Sequence, residues 1–325
     1  MQAVVVHRPG GPTSLVPEDM PVPSPGPTEV RVRVSAAGVN YIDVYHRTGK
    51  YPLPVPFVAG SEGAGVVSAV GAEVDRVRVG DHVSWAMVPG AGYAEQVLVA
   101  ADRVVPVPAD VDDETAAAIM LQGLTAHYLT TSTYAVSPGD VVLVHAAAGG
   151  VGLLLTQVAT AKGARVIATT STAAKAELAT AVGAAETILY GEADVAEEVR
   201  QLTDGAGAAV VYDGVGKSTF DASLRSLRPR GTMVLYGAAS GPPDPIDPNL
   251  LNVLGSLFLT RPSLAHHIAT RAELLERATE LFEWVSSGAL SVRVGARYAL
   301  ADAARAHEDL EARRTTGKSL LIPGR

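Results

Sequence analysis

Apolar positions along the chain change their period once, near residue 110. Before it, short Val-rich runs at Ala3–Val6, Val30–Val34, Gly63–Val70, His82–Ser84, Glu95–Val99 and Arg103–Pro106 alternate with Gly/Pro turns. Many short strands at this spacing predict a barrel or sandwich. Val30-Arg-Val-Arg-Val34 alternates apolar and charged, as a half-buried strand does. Pro17, Pro21, Pro23, Pro25 and Pro27 make the second segment extended, because Pro lacks the N–H that a central strand needs.

After Asp110 the texture becomes Ala/Leu-rich, and Asp112–Thr133 reads as helix. From residue 141, strands at Val141–Ala146, Arg165–Thr170, Thr187–Leu189, Ala208–Tyr212, Thr232–Tyr236 and Ser256–Thr260 are predicted. Helices at Gly150–Lys162, Ala173–Val182, Asp194–Leu202 and Ser218–Ser226 separate the first five of them. Continuous apolar strands alternating with helices predict a doubly wound parallel sheet covered on both faces. The tail carries a capping box, Thr270-Arg-Ala-Glu273, before an apolar run, then a helix over Ala301–Arg313 and a strand over Ser319–Ile322.

Composition narrows the functional classes. With 47% hydrophobic and 18% charged residues, the chain can bury a sizeable core, which excludes intrinsic disorder. A net charge of −8 without a Lys/Arg cluster argues against nucleic acid. No uncharged apolar window is long enough for a membrane span, and the opening MQAVVVHRPGGPTS has no signal-peptide core. The expectation is a cytoplasmic protein. Zero Cys removes disulfides, thiolate metal sites, Fe–S clusters and a cysteine nucleophile together.

The strongest chemical signal is the run from Val141 to Gly152, VVLVHAAAGGVG. Aligned on G-x-G-x-x-G, its three positions are Ala147, Gly149 and Gly152. The middle Gly lets backbone approach a pyrophosphate, the last lets helix and strand pack closely, and the helix N-terminus offers free N–H groups. The alternative is a tight strand-to-helix turn with no ligand. About 20 residues on, an NAD site places an acid on the ribose 2′-OH. Here the stretch is ATTSTAAK, Ala168 to Lys175, with no acid. Thr170, Ser171 and Lys175 would attract a 2′-phosphate, so NADPH is preferred. The competing reading makes Ser171 a helix cap and Lys175 a surface charge.

A second candidate lies between Gly38 and Tyr51, where Asn40, Asp43, Tyr45, Arg47 and Tyr51 follow a strand. These groups suit a substrate or a nicotinamide, and Asn and Asp also serve turns. Other motifs fail. Gly317-Lys-Ser319 resembles a P-loop end but has Ala312 where Gly is needed, no Tyr-x-x-x-Lys couple occurs, His266 and His267 point apart on any helix, and His145 lies inside a predicted strand.

Taken together, Gly38-Val-Asn-Tyr-Ile-Asp, Gly60-Ser-Glu-Gly-Ala-Gly-Val-Val67, Gly80-Asp-His-Val83, Gln122-Gly-Leu-Thr-Ala126, His145-Ala-Ala-Ala-Gly-Gly-Val-Gly152, Val211-Tyr-Asp-Gly-Val-Gly216 and Thr260-Arg-Pro-Ser263 resemble the NADPH:quinone oxidoreductases. These are ζ-crystallin-like, zinc-free members of the medium-chain dehydrogenase/reductase superfamily. The resemblance covers essentially the whole chain. It implies an α/β protein with a discontinuous GroES-like domain (1–124 and 264–325) and an inserted Rossmann NADPH-binding domain (125–263).

Carried over by resemblance, Asn40 and Thr125 lie near the nicotinamide, and Ala148, Gly149, Gly150 and Val151 hold the pyrophosphate, next to Gly152 of the fingerprint. Ser171, Lys175 and Tyr190 surround the 2′-phosphate, joining Thr170 from the reading above. Gly237, Ser240, Phe258, Leu259 and Arg261 line the nicotinamide side, with Arg325 at the adenosine end. A homodimer is implied, joined partly through edge strands of the Rossmann domains. Zinc alcohol dehydrogenases of the superfamily use a catalytic Cys and a Gly-His-Glu segment. Here Asn40 lies near the Cys position and Ser61 replaces His. Some close relatives carry Lys in place of Gln122.

The expected reaction is hydride or electron transfer to a small quinone in an interdomain cleft, with Asn40, Tyr45 and Tyr51 orienting the acceptor. Hydride transfer needs alignment more than an acid or base. The alternatives are an NADPH-dependent reductase of α,β-unsaturated carbonyls and a non-catalytic NADPH-binding sensor or structural protein.

Overall fold

The computed structural model describes residues 1–324, so Arg325 lies outside the described residues. The chain divides into two units: Met1–Leu124 with Ile268–Arg325, and Thr125–His267. The short helix Leu264–His267 falls in the inner unit. The helix Asp113–Tyr128 runs across the first boundary and ends in a π-turn, Leu129–Thr133. Among the described residues no helix is long and apolar enough to cross a membrane.

The outer unit has two sheets. In the smaller, Gln2–Val6 lies between Val16–Asp19 and Phe57–Val58. The proline-rich segment was expected to be merely extended. Val16–Asp19 forms a strand there nevertheless, because an edge position leaves Pro17 free of any donor duty. The larger sheet has seven strands around Glu29–Val39, which pairs antiparallel with Glu62–Val70, Gln96–Ala100 and Lys318–Ile322. Along the central strand Val30, Val32 and Val34 point into the core, as their alternation predicts. Val294–Ala299, unforeseen in the sequence, adds a parallel edge strand. Its run VGARYA alternates over six residues only, with Gly295 and Arg297 exposed between partly buried Val294, Ala296 and Tyr298.

The inner unit holds a six-stranded parallel sheet in the order Glu186–Leu189, Arg165–Thr170, Val141–Val144, Ala208–Asp213, Leu227–Leu235, Phe258–Thr260. Every strand expected here is present, Arg165–Thr170 with the expected ends and the other five with shifted ones. The first stops at Val144 because Ala146 takes a left-handed φ of 50°, which turns the chain out of the ladder. The fifth begins at Leu227 rather than Thr232, its polar start (Arg228, Pro229, Arg230) hiding it from an apolar pattern. Strand order reverses between Val141–Val144 and Ala208–Asp213. Ligands of such sheets bind beyond the carboxyl ends of the strands at that switch point.

Candidate functional site

In the inner unit the turn after Val141–Val144 is tied to both neighbouring strands. Ala147 N–H donates to Thr169 O at 3.0 Å and His145 N–H to Tyr212 O at 3.1 Å. Gly149 then takes the extended N-cap conformation of the helix Gly150–Ala161. No side chain caps that end, so its N–H groups are left for a ligand or water. A Cβ on Gly152 would lie 2.5 Å from Ala146 O and 2.7 Å from Ala147 Cα. Glycine there lets the helix sit against the turn, the third role of the fingerprint.

Next to this turn, Arg165–Thr170 and Glu186–Leu189 end side by side. Tyr190 N–H donates to Thr170 O at 3.2 Å, which joins two of the four residues expected around a 2′-phosphate. Ser171 and Lys175 follow on the same turn. The helix Ala173–Ala181 is capped by Thr172, whose Oγ1 accepts from Lys175 N–H at 3.3 Å. Ser171 is therefore not the cap, and its exposed hydroxyl is left for other partners. No acid occupies this corner between Ala168 and Lys175.

His145 is fully buried. Its Nδ1 faces Thr169 Oγ1 at 3.0 Å and its Nε2 faces Ser223 Oγ at 2.9 Å. Ser223 donates onward to Asp213 Oδ2 at 2.8 Å. Asp213 Oδ1 accepts the N–H groups of Val215 and Gly216 at 2.8 and 2.9 Å. Burial lowers the His145 pKa, so the ring is neutral. Ser223 gives its proton to Asp213, so Nε2 carries the ring proton and Nδ1 accepts from Thr169. The group fixes the strand ends around the switch point.

The loop after Leu227–Leu235 is held by Ser240, whose Oγ donates to Val215 O at 2.9 Å and accepts from Ser218 N–H at 3.0 Å. Gly237 is obligatory, since a Cβ would meet Gly214 O at 2.4 Å. Phe258 and Leu259 lie on the edge strand, 61% and 37% exposed. Arg261, just past that strand, donates to Tyr236 O at 2.9 Å. Thr125 is buried on its helix.

In the outer unit, Asn40 caps the helix Tyr41–Arg47, a helix the sequence pattern did not reveal because its seven residues mix aromatic and charged groups. Asp43 Oδ2 accepts Asn40 N–H at 2.9 Å. Tyr45 and Tyr51 meet edge to face with centroids 5.2 Å apart, and Lys50 Nζ stands 4.3 Å over the Tyr45 ring.

Beneath this helix end lies a buried ionic cluster whose geometry follows from strand register. Leu320 lies opposite Gly38, and Ala37 lies opposite Gly63. Lys318 and Glu62 therefore approach from the two flanks of the central strand and pair over Gly38. A Cβ there would lie 2.0 Å from Glu62 Oε2 and 2.6 Å from Lys318 Cε. Lys318 Nζ donates to Asn40 Oδ1 at 2.8 Å, Asn40 Nδ2 donates to Glu62 Oε2 at 2.8 Å, and Gln122 Nε2 donates to Asn40 Oδ1 at 3.3 Å. Glu62 Oε1 also accepts the mid-helix N–H of Leu121. Both charges are essentially inaccessible, so loss of either partner would strand the other.

A second buried chain begins at Asp43. Its carboxyl accepts from Ser61 Oγ at 2.9 Å and Tyr93 OH at 3.2 Å. Burial outweighs these donors and pushes its pKa up to about 7. Tyr93 OH also meets His307 Nε2 at 2.9 Å, His307 Nδ1 accepts from Arg47 at 3.2 Å, and Arg47 pairs with Glu311 at 2.8 Å. Burial, helped by the Arg47 charge, holds the His307 pKa down at about 3.

Comparison with known proteins fits both units. The alcohol dehydrogenase GroES-like domain family matches residues 26–109, and the zinc-binding dehydrogenase family matches residues 150–284. A quinone oxidoreductase of Pseudomonas aeruginosa is 48% identical over 97% of each chain. The structure of Escherichia coli quinone oxidoreductase complexed with NADPH superposes with a TM-score of 0.97 at 43% identity, covering 99% of this chain and 100% of that one. This chain belongs to the quinone oxidoreductase family of the medium-chain dehydrogenases/reductases. A 2-haloacrylate reductase of a Burkholderia species is also 45% identical over 99% of each chain.

The name of the matched zinc-binding family invites a test of the residues for a metal. They do not fit one. At the positions where zinc dehydrogenases place Cys and His, this quinone oxidoreductase family member has Asn40 and Ser61, whose polar atoms already serve Lys318, Glu62 and Asp43. The Lys318 ammonium stands where it would repel a cation. The inner unit is compatible with a nucleotide: no side chain caps the helix after Gly149, and the neighbouring strand ends at Thr170, with Ser171 next and no acid before Lys175.

Sequence reasoning missed Glu62 and Lys318 as partners of Asn40, and His307 as part of the chain that begins at Asp43. Lys318 carried a readable signal, a charged residue directly before the apolar strand Ser319–Ile322. Asn40 was expected to orient the acceptor directly. Its carboxamide is instead spoken for on both sides, by Lys318 and Gln122 at oxygen and by Glu62 at nitrogen, so the structure gives it a positioning part.

Proposed function

We propose that this protein is an NADPH:quinone oxidoreductase that works without a metal. The observation that carries the reading is the acid-free corner of Thr170, Ser171, Lys175 and Tyr190 beside the Gly-rich turn, in a chain 48% identical to a quinone oxidoreductase. In this reading Ala148, Gly149, Gly150, Val151 and Gly152 hold the pyrophosphate by backbone N–H groups and a helix N-terminus. Lys175 with its neighbouring hydroxyls takes the 2′-phosphate. Thr125, Gly237, Ser240, Phe258, Leu259 and Arg261 are assigned to the nicotinamide side.

NADPH supplies a hydride. The protein supplies alignment. Tyr45 and Tyr51 offer aromatic edges and hydroxyls to a flat acceptor, and the Asn40 network holds the start of their helix rigid. Reduction of a quinone by hydride leaves an oxyanion that water can protonate, so no dedicated acid is needed. The enzyme is assigned to the cytoplasm as a homodimer, supported by the open edge of the strand Phe258–Thr260 with exposed Phe258 and Val253 near it in sequence.

The test is to mix the protein with NADPH and 1,4-benzoquinone or 9,10-phenanthrenequinone and follow the loss of reduced-cofactor absorbance. Catalysed oxidation is expected, and none across a quinone panel overturns the quinone assignment. Reduction of α,β-unsaturated carbonyls is a second reading, favoured by the 45% identity to a 2-haloacrylate reductase. Faster turnover of 2-chloroacrylate or an enone than of any quinone would select it.

A further inference from the structure

Asp213 closes the strand Ala208–Asp213 and is fully buried. Its carboxylate accepts four hydrogen bonds. Val215 N–H at 2.8 Å and Gly216 N–H at 2.9 Å reach Oδ1, and Thr219 Oγ1 at 2.7 Å and Ser223 Oγ at 2.8 Å reach Oδ2. All four donors are neutral. Glu62, a buried acid of the outer unit, has Lys318 beside it, whereas Asp213 has no cation partner among the described residues. Its titratable neighbour His145, reached through Ser223, is held neutral by burial.

These hydrogen bonds by themselves do not require a charge. An asparagine would accept the two N–H groups through its oxygen and donate its own two N–H to the hydroxyls. What the carboxylate adds is a full negative charge in an interior of low dielectric, where a field reaches further than in water. Burying that charge costs free energy, and its place in the inner unit supplies a role. Asp213 O accepts Tyr236 N–H at 2.9 Å and Gly237 N–H at 3.3 Å, and Val215 O accepts from Ser240 Oγ at 2.9 Å. The turn that begins at Asp213 is thus held between Gly237 and Ser240, both assigned above to the nicotinamide side. Arg261, a cation assigned to that side, is exposed, so water and salt screen it.

We propose that Asp213 is a buried anion whose field favours the positively charged ring of NADP⁺ over the neutral ring of NADPH, so that the bound cofactor gives up its hydride more readily. The inference rests on the function proposed above and on its placement of the nicotinamide. Hydride leaves the ring with both electrons of its C–H bond, and the ring gains one positive charge. The quinone that accepts the hydride becomes a hydroquinone anion, which water protonates. Asp213 is enclosed by its donors and acts through its charge, not by contact.

The quantity to measure is the ratio of the Kd for NADP⁺ to the Kd for NADPH, by fluorescence titration and competition at one pH and ionic strength. Asp213→Asn should raise this ratio about tenfold, an ordinary size for one charge acting through a protein interior. Thr219→Lys should raise it as well, since this half-buried position lets an ammonium stand beside Asp213 and cancel its field. Ser223→Ala removes a donor and keeps the charge, so it should leave the ratio unchanged even where both affinities fall. If Asp213→Asn does not fold, Thr219→Lys decides.

A wild-type ratio in the charge variants overturns the proposal, because a merely structural aspartate would weaken both nucleotides together. A rise with Ser223→Ala as large as with Asp213→Asn overturns it too. Failure of the quinone reading shows separately, as a wild-type protein that binds both nucleotides and turns over no quinone, and the ratios would still be readable.

Discussion

Lys175 enters the first turn of the helix Ala173–Ala181 directly behind its Thr172 cap, and Tyr190 reaches the same corner through Thr170. A cation placed there meets a 2′-phosphate and has little to do with a 2′-hydroxyl. Lys175→Ala should therefore raise the Kd for NADPH about tenfold or more, and the Kd for NADH about twofold or less. Fluorescence titration with both cofactors checks this, and equal losses would remove Lys175 from the site. Two buried groups make an opposed pair in pH. His307 has a folded pKa of about 3 against an ordinary 6.5, so its contribution is complete above 6.5 and is lost as pH falls toward 3. Asp43 has a folded pKa of about 7 against 3.8, so its contribution is complete below 3.8 and is lost as pH rises toward 7. Between about pH 4 and 6.5 the two slopes cancel in part. His307→Gln should leave a melting temperature that falls with rising pH across this window, and Asp43→Asn one that rises. Variants with the wild-type slope would show that these groups titrate elsewhere.

At the scale of elements, the Gly-rich turn works because strand, turn and helix share very little space. Gly152 has room for hydrogen only, with Ala146 O at 2.5 Å from any added Cβ. Gly152→Ala should push the helix Gly150–Ala161 off the turn, cost about 1–3 kcal/mol as overpacking does, and weaken NADPH binding. Chemical denaturation and the same titration measure both. An alanine variant with wild-type stability and affinity would mean that the turn relaxes freely. The elements legible in the sequence were those with a long apolar period: the inner strands, their helices and the Thr270 capping box, which the structure forms through Glu273. The helix Tyr41–Arg47 and the strand Val294–Ala299 were not legible, because the helix shows no clean period, the strand's alternation is short and weakly apolar, and both are stabilised by what they pack against.

For the whole molecule, the six-stranded sheet ends in a short edge strand, Phe258–Thr260, whose outer flank has no partner strand among the described residues. Exposed Phe258 and Val253, 61% and 70% accessible, belong to the same stretch of chain. Open edges invite pairing, and a second copy is the partner proposed here. Sedimentation equilibrium should give a dimer, and Val253→Asp should shift it toward monomer. A monomeric wild type at micromolar concentration would refute the assignment.

Local pattern was enough to determine the two kinds of unit, the parallel inner sheet, the glycine turn at its centre and the acid-free stretch after the second inner strand. Each of these is written in neighbouring residues, through strand and helix periods and through what a tight turn can sterically hold. The absence of Cys, likewise plain in the sequence, marked the chain off from thiolate zinc sites. The Asn40–Glu62–Lys318–Gln122 cluster was decided only by tertiary structure. Lys318 and Asn40 are 278 residues apart, and no period links them. What joins them is the register of three strands meeting over a glycine, where two charges removed from water have only each other and two carboxamides to satisfy them.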